Sequence, residues 1–194
     1  ESENGGRNGY TVATSPIEIE AIWNMRKRAV GLLGSVEGVV RPVAFVEDTA
    51  VPPENLAAYI REFRALLDSE GLDYGMFGHV DAGVLHVRPA LDLTLPEHKQ
   101  HIRQISDRVV ALTKKHGGVL WGEHGKGVRS EYVPDFFGPL YPALQDIKAL
   151  FDPKNQMNPG KIAAPPGHEL FKIDGVPLRG DSDKDIGNAI REAF

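Results

Sequence analysis

The fold is decided by the stretch Tyr74-Gly75-Met76-Phe77-Gly78-His79-Val80-Asp81-Ala82-Gly83-Val84-Leu85-His86-Val87-Arg88. The aromatic and apolar residues of Tyr74–His79 and Val84–Arg88 predict two strands, and Asp81-Ala82-Gly83 predicts the turn between them. Glycine suits such a turn because it has no β-carbon to restrict its backbone. A β-hairpin is therefore expected near the middle of the chain.

The length of this turn determines where the two histidines of the hairpin lie. A two-residue turn at Ala82-Gly83 pairs His79 with His86, which are seven positions apart in sequence. Directly opposed residues share a face with β-carbons about 4.5–5.5 Å apart, close enough for two imidazoles to hold one ion. On the other face, toward the helices, we expect Val80, Leu85 and Val87.

Helical spacing of apolar residues flanks the hairpin on both sides. The predicted order is a helix from Pro16, a strand at Pro42–Val46, a helix opened by Pro52-Pro53, the hairpin, a helix capped by Thr94 and Glu97, a strand at Val119–Trp121 and a helix at Pro139–Phe151. This β-α-β-β-α-β order, with a helix before and after, predicts an α+β fold. We expect a ferredoxin-like antiparallel sheet with helices packed on one face.

Composition excludes several classes of function. The 194 residues are 41% hydrophobic and 25% charged, which suits one globular domain with a real core. The net charge of −5 gives no electrostatic reason to expect nucleic acid as a partner. No apolar run approaches the roughly 18 residues of a transmembrane segment. The absence of cysteine excludes disulfides, thiolate zinc sites and iron–sulfur clusters within this stretch, and is consistent with a reducing compartment.

The ends of the chain differ in composition from its centre. Residues 1–14 are polar and glycine-rich, which predicts a flexible lead-in, and the first residue is Glu1 rather than Met. Residues 163–194 carry many charges and weak periodicity, which predicts a linker or an edge segment toward a further C-terminal domain. We therefore expect a segment of a longer protein whose folded domain spans residues 15–162.

A second motif, Trp121-Gly122-Glu123-His124-Gly125-Lys126-Gly127, places a carboxylate and an imidazole between glycines. With His79 and His86 it suggests a divalent metal held by two imidazoles and Glu123, with one position left open. His124 would then lie beside the metal as a base. The alternative is structural: a pair of hydrogen-bonded histidines in a hairpin, next to a polar loop.

Arg26 and the segment Asn155–Lys161 also carry chemical information. Arg26 lies on the apolar stripe of the first helix, so it needs an anion, and its planar fork suits a carboxylate. The spacing alone favours a structural ion pair with Glu or Asp, or a side chain extending to solvent. Asn155–Lys161 is a turn-rich stop after the last helix, and it would reach a phosphate or cofactor only if another domain supplied one.

Taken together, these stretches resemble the C-terminal domain of FAD-linked oxidases of the D-lactate, glycolate and D-2-hydroxyglutarate dehydrogenase type. That family's first motif, Gly-His-x-Gly-Asp-Gly-Asn-x-His, corresponds to Gly78–His86, and its Gly-Glu-His-Gly-x-Gly corresponds to Gly122–Gly127. Its final motif, Asp-Pro-x-x-x-x-Asn-Pro-Gly-Lys, corresponds to Asp152–Lys161. The elements Trp23-x-x-Arg26 and Glu47-Asp48-x-x-Val51-Pro52 fit as well, and the match spans about residues 15–162.

The resemblance implies the substrate- and metal-binding domain of a dehydrogenase that oxidises a D-2-hydroxy acid to the 2-oxo acid, with FAD supplied by a separate domain of the same polypeptide. It also implies that the isolated segment is inactive. It assigns the residues as follows: a metal site of His79, His86 and Glu123, with Zn²⁺ expected; a proton-accepting base, His124; a carboxylate clamp, Arg26; and a flavin-side segment containing Asn158 and Lys161.

Long bacterial members of the family continue into an iron–sulfur domain, so the resemblance places a cluster elsewhere in the full-length protein. It also implies a cytoplasmic enzyme that meets the membrane only peripherally, through its electron-transfer partners. The sequence departs from the family at Asp81-Ala82, at Lys126, and at Val84, which replaces an asparagine. Two alternatives remain open: a free-standing divalent-metal hydrolase, and a non-catalytic ferredoxin-like interaction module.

Overall fold

The strand β4, Val84–Asp92, lies at the centre of an antiparallel sheet. The computed structural model describes residues 12–34, 38–125 and 127–176. Strand β3, Tyr74–His79, pairs with one side of β4 along its full length. The other side of β4 pairs with β1, Val40–Pro42, at one end and with β2, Thr49–Ala50, at the other.

Alternation along β4 divides its side chains between two environments. Leu85, Val87 and Leu91 are buried in the hydrophobic core, as expected for one face of a strand. The intervening His86 and Arg88 belong to the opposite face, where both meet the carboxylate of Glu47. One strand therefore supplies both the core and the candidate site.

Two amphipathic helices complete the core over the first face of the sheet. Helix α2 spans Pro53–Ser69 and helix α3 spans Glu97–Lys115. Their buried residues follow the 3.6-residue period and belong to the same cluster: Leu56, Tyr59, Phe63, Leu66, Leu67, Ile102, Ile105, Val109 and Leu112. The predicted α+β fold with an antiparallel sheet is thus confirmed.

The chain between β1 and β2 contains a bulge rather than the strand predicted at Pro42–Val46. Pro42 pairs with Ala90 of β4 and Thr49 pairs with Leu85. The chain thus covers seven positions where β4 covers five, so residues 43–48 include two residues with no partner position on β4. All six are buried, and Asp48 adopts a positive φ of 70°. Aspartate is among the residues that tolerate this left-handed conformation, and it turns the chain back toward β4.

The segment after α3 contributes one isolated bridge, between Val119 and Ala50, instead of the strand predicted at Val119–Trp121. The ferredoxin-like description of the sheet therefore stays a prediction. Helices α4, Val133–Phe137, and α5, Tyr141–Phe151, follow, so the predicted final helix is confirmed with a later start.

The predicted capping box of α3 is wrong. The helix begins at Glu97 with no side-chain cap, and the Thr94 hydroxyl donates to the carboxylate of Asp92 instead. A capping box is present in helix α1, Pro16–Gly34. There Ser15 Oγ accepts the backbone N–H of Glu18, and the Glu18 carboxylate accepts that of Ser15.

The structure divides into two units, residues 1–36 and 37–194. The first contains α1, the second all the strands and the remaining helices. Within the second, Ile173 and Val176 lie in the core although they follow the predicted boundary at residue 162. Most of the predicted lead-in, residues 1–11, and residues 177–194 of the predicted linker lie outside the described residues. The described helices include none long and apolar enough to cross a membrane.

Candidate metal and proton-transfer site

The hairpin brings His79 and His86 to one face by a different register from the one predicted. His79 pairs with Val84 and Phe77 pairs with His86, because the turn contains four residues, 80–83, rather than two. The two histidines are therefore diagonal neighbours, which still share a face. Their ring centroids are 5.4 Å apart.

The same register determines which of the residues predicted to face the helices are buried. Leu85 and Val87 are buried in the core, as predicted. The prediction for Val80 is wrong, because it belongs to the turn and is 74% exposed.

Glu123 lies between the two histidines. Its Oε1 is 3.2 Å from His79 Nε2, and its Oε2 is 3.6 Å from His86 Nε2. One ligand atom from each residue lies within 4.8 Å of the others. His86 is buried, whereas Glu123 is partly exposed, so the group is open to one side.

This donor set fits a borderline divalent cation. Two imidazole nitrogens and a carboxylate oxygen are the ligands that catalytic zinc sites use, with a fourth position for water or substrate. The three residues named by the sequence thus meet as one group.

The backbone of Glu123 and His124 is fixed by a single buried carboxylate. Asp48 Oδ1 accepts the N–H of Glu123 at 2.9 Å, and Oδ2 accepts that of His124 at 2.8 Å. The main-chain oxygen of Asp48 also accepts the N–H of Gly122 at 2.8 Å. Asp48 is completely buried. These three hydrogen bonds therefore attach the loop 122–124 to the bulge at residues 43–48.

The His124 ring lies near two carboxylates, those of Asp48 and Glu123. Its Nδ1 lies 3.8 Å from Asp48 Oδ1, and its Nε2 lies 3.8 Å from Glu123 Oε2. The ring stacks against that of His86, with centroids 5.4 Å apart and planes inclined by 24°. The side chain is 43% exposed, so a molecule bound at the metal group could reach it.

Sequence reasoning named no role for Glu47, Asp48, Arg88 or Arg129, although all four lie in or near the site. Glu47 and Asp48 carried a signal, since they stand in one of the family's motifs. Arg88 carried one too: it is two residues after His86 on a strand, hence on the same face. Arg129 follows Gly127-Val128 with no periodic pattern.

Arg129 places a buried cation near the carboxylates of Asp48 and Glu47. It is 1% exposed, and its Nη2 donates to the backbone oxygen of Leu120 at 2.5 Å. Burial lowers its pKa to about 10, while the negative charges of Asp48 and Glu47 act in the opposite direction. The guanidinium therefore remains charged at neutral pH and offsets part of the buried negative charge.

Val84 occupies the position of the family's asparagine and is only 3% exposed. It packs against Gly122: a β-carbon added to that glycine would lie 3.0 Å from Val84 Cγ2. This position therefore contributes apolar packing rather than a polar group. Lys126, another departure from the family pattern, lies outside the described residues.

The remaining predicted site residues lie away from this group or in the other unit. Arg26 is on α1, with its guanidinium 5.4 Å from the centre of the Trp23 ring. Asn158 is exposed with a φ of 47°, and its carbonyl accepts the N–H of Lys161 at 3.1 Å. The Lys161 stem crosses Gly127, where a β-carbon would meet it at 2.3 Å. The substrate and flavin roles of these three residues stay predictions.

The fold and the site correspond to a domain of known type. The family model described as "FAD linked oxidases, C-terminal domain" matches residues 1–162. The chain belongs to this family.

Curated relatives agree with this assignment. A D-2-hydroxyglutarate dehydrogenase of Pseudomonas putida is 62% identical over 190 residues, which cover 97% of this chain and 19% of the relative. One of Escherichia coli is 57% identical over 196 residues, covering 100% of this chain and 19% of the relative. A D-lactate dehydrogenase of Archaeoglobus fulgidus is 33% identical over 127 residues, 65% of this chain and 28% of the relative. The chain thus spans about a fifth of the length of the first two.

Proposed function

We propose that this chain is the substrate- and metal-binding domain of a flavin-dependent dehydrogenase that oxidises a D-2-hydroxy acid to the 2-oxo acid. The observation that carries the proposal is the meeting of His79, His86 and Glu123, with His124 beside them. Membership of the FAD-linked oxidase family supports it independently.

In the proposed mechanism, His79, His86 and Glu123 would hold a divalent metal, with Zn²⁺ expected. Such an ion would polarise the oxygens of a bound hydroxy acid and lower the pKa of its hydroxyl group. His124 takes the hydroxyl proton at Nε2, because that nitrogen is on the side of Glu123 and the candidate metal group, whereas Nδ1 is on the side of Asp48. Asp48 keeps the backbone of the base in place.

The electron acceptor is FAD, bound mainly by a separate domain of the same polypeptide, and it supplies the hydride chemistry. We propose that Asn158 and Lys161 approach the flavin side and that Arg26 binds the substrate carboxylate. The iron–sulfur cluster elsewhere in the full-length protein, the cytoplasmic location and the peripheral membrane contact stay predictions.

D-2-hydroxyglutarate is the substrate that we propose first, because the two relatives above that match nearly the whole chain bear that name. Its charged ends are two carboxylates, and guanidinium groups suit such anions. The buried Val84 presents no amide, so the polar groups that select the acid have to come from other positions.

Metal content tests the proposal most directly. The full-length protein, purified without chelator, is expected to contain one equivalent of divalent metal and to oxidise D-2-hydroxyglutarate. His79→Ala is expected to lose both the metal and the activity. His101→Ala is the matched control, since His101 also faces a carboxylate, at 3.0 Å from Glu70, outside the site. A wild-type protein free of metal would contradict the proposal.

Two further results would favour the other functions that the sequence leaves open. Hydrolysis of an ester by the 194-residue chain with Zn²⁺ alone would identify a metal hydrolase. Unchanged activity of the full-length protein after Glu123→Gln and His124→Ala would identify a non-catalytic module. We expect neither, and we expect the chain alone to oxidise no hydroxy acid, since it has no electron acceptor.

A further inference from the structure

We propose that Glu47 is a positioning residue of the metal site: its carboxylate accepts the Nδ1–H of His86 and so directs the Nε2 lone pair toward the metal. This inference rests on the proposed function, because it assumes that His86 is a ligand.

The geometry places the His86 ring between two carboxylates. Its Nδ1 lies 3.5 Å from Glu47 Oε1, and its Nε2 lies 3.6 Å from Glu123 Oε2. The ring is also confined by Phe77, its partner across the hairpin, with centroids 5.0 Å apart. The ring therefore has one edge toward the candidate metal group and the other toward Glu47.

A neutral imidazole carries a hydrogen on only one of its two nitrogens, so one edge of the ring donates a hydrogen bond and the other offers a lone pair. A histidine that binds a metal through Nε2 carries its hydrogen on Nδ1, and that hydrogen needs an acceptor when buried. His86 Nδ1 is buried and makes no conventional hydrogen bond within the described residues. The Glu47 oxygen at 3.5 Å is a few tenths of an ångström beyond the usual range, so a small rotation completes the bond.

Glu47 itself is held by Arg88. Arg88 Nε donates to Oε2 at 3.0 Å and Nη2 donates to Oε1 at 3.3 Å, a two-point contact that fixes the plane of the carboxylate. Glu47 is 2% exposed, so the cation also compensates a buried charge. Strand β4 thus supplies both the ligand His86 and, two residues later, the residue that holds its partner.

A second arrangement of the same residues is less suitable for a metal. Glu47, His86 and His124 also bring one potential ligand atom each within 4.8 Å. Binding there would set the cation beside the Arg88 guanidinium and would draw Glu47 away from it. The group of His79, His86 and Glu123 requires no such rearrangement.

Glu47→Gln tests the proposal. An amide has a single oxygen: placed at Oε1 it leaves an NH2 group facing the Arg88 Nε–H, and placed at Oε2 it leaves that group facing His86 Nδ1. Glutamine therefore cannot keep all three contacts of the carboxylate. We expect the full-length protein to bind Zn²⁺ about 10- to 100-fold more weakly in competition with a chelator, as for other lost partners of ligating histidines. The thermal midpoint of the metal-free protein verifies that the variant is folded.

Glu70→Gln is the matched control, because Glu70 also contacts a histidine, His101, and an arginine, Arg108, but belongs to neither candidate metal group. Its affinity for Zn²⁺ should equal that of the wild type. X-ray absorption of the Zn²⁺-loaded Glu47→Gln protein should show an unchanged number of nitrogen and oxygen ligands.

Three outcomes would count against the proposal, and they differ in meaning. Equal Zn²⁺ affinity of Glu47→Gln and the wild type would remove the positioning role while leaving the proposed function intact. Loss of one oxygen ligand from the absorption spectrum would make Glu47 a ligand instead. Absence of Zn²⁺ binding by the wild type would overturn the proposed function itself.

Discussion

Asp48 contacts His124 at two points: its Oδ2 accepts the backbone N–H at 2.8 Å, and its Oδ1 lies 3.8 Å from ring Nδ1. The two residues are 76 positions apart in sequence. The positive φ of Asp48 and the two extra residues in its segment make this reach possible. The position of the proposed base is thus set by a bulge in an early part of the sheet.

Asp48→Asn should displace the proposed base, His124, without changing its side chain. The amide keeps one acceptor and presents N–H to the other backbone N–H, so the 122–124 loop loses a hydrogen bond. We expect kcat of the full-length protein to fall about 100-fold, the scale of a misplacement near 1 Å, and stability to fall by about 2 kcal/mol. Asp68→Asn is the control, because the Asp68 carboxylate accepts the Tyr74 hydroxyl on the exposed side of α2, outside the site. An unchanged kcat would contradict this assignment.

Gly83→Ala should destabilise the hairpin turn more than a backbone penalty alone explains. Gly83 has a φ of 68°, and an added β-carbon would lie 1.9 Å from the backbone oxygen of Val51. Gly71→Ala is a close match, since its φ is 66° and nothing lies within 4 Å. We expect a loss of about 1 kcal/mol for Gly71→Ala and of about 3 kcal/mol or more for Gly83→Ala, measured by denaturant unfolding. Equal losses would show that the Val51 contact relaxes at no cost.

Arg129→Met should be strongly destabilising despite the similar size of the two side chains. It removes a buried cation near Asp48 and Glu47, and those carboxylates would remain buried without it. It also leaves the backbone oxygen of Leu120 without its donor, and the loss is expected to be about 1–3 kcal/mol. Denaturant unfolding of the metal-free protein measures the loss, and Arg61→Met, on the exposed side of α2, provides the control. A loss below about 1 kcal/mol would show that this charge is compensated elsewhere.

Asp152 should make stability depend on pH in acid. Lys148 and the backbone N–H groups of Gln156 and Met157 lower the pKa of its carboxyl group from 3.8 to about 2. A lowered folded-state pKa contributes stability above the unfolded value, and this contribution is lost as the pH falls from 3.8 toward 2.

The variant Asp152→Asn is therefore expected to unfold at lower denaturant than the wild type near neutral pH. The difference in midpoint should shrink between about pH 4 and pH 2. Asp146→Asn, on the helix α5 that Asp152 follows, changes the net charge equally and serves as the reference. A difference that is constant over this range would show that the hydrogen bonds of Asp152 do not depend on its charge.

The elements predicted best are those whose pattern is local. Helix α2 and strand β3 begin where Pro53 and Tyr74 predict, because their apolar periodicity also matches the core that they build. The bulge at residues 43–48 was missed because its run of buried apolar residues looks like a strand. Its two extra residues are visible only against β4, a contact made about 40 positions later.

The predicted hairpin register was wrong because of the backbone conformation that a two-residue turn requires of Ala82. A two-residue turn of the common type needs positive φ at both central positions, which alanine disfavours. The structure uses positive φ at Gly83 alone and a four-residue turn. His79 and His86 could still be placed on one face, because a shift of two residues preserves the side of the sheet. Arg129 could not be predicted, since only tertiary contacts identify its surroundings.

The exposed turn that connects the two histidine-bearing strands offers a place to observe the site without entering it. Val80 and Asp81 both point to solvent, and the chain contains no cysteine. A single Asp81→Cys substitution would therefore give this domain one unique thiol for a fluorescent dye. Two residues from His79, such a dye would lie close enough to a bound Co²⁺ or Cu²⁺ to be quenched, so metal arrival could be followed by light emission alone.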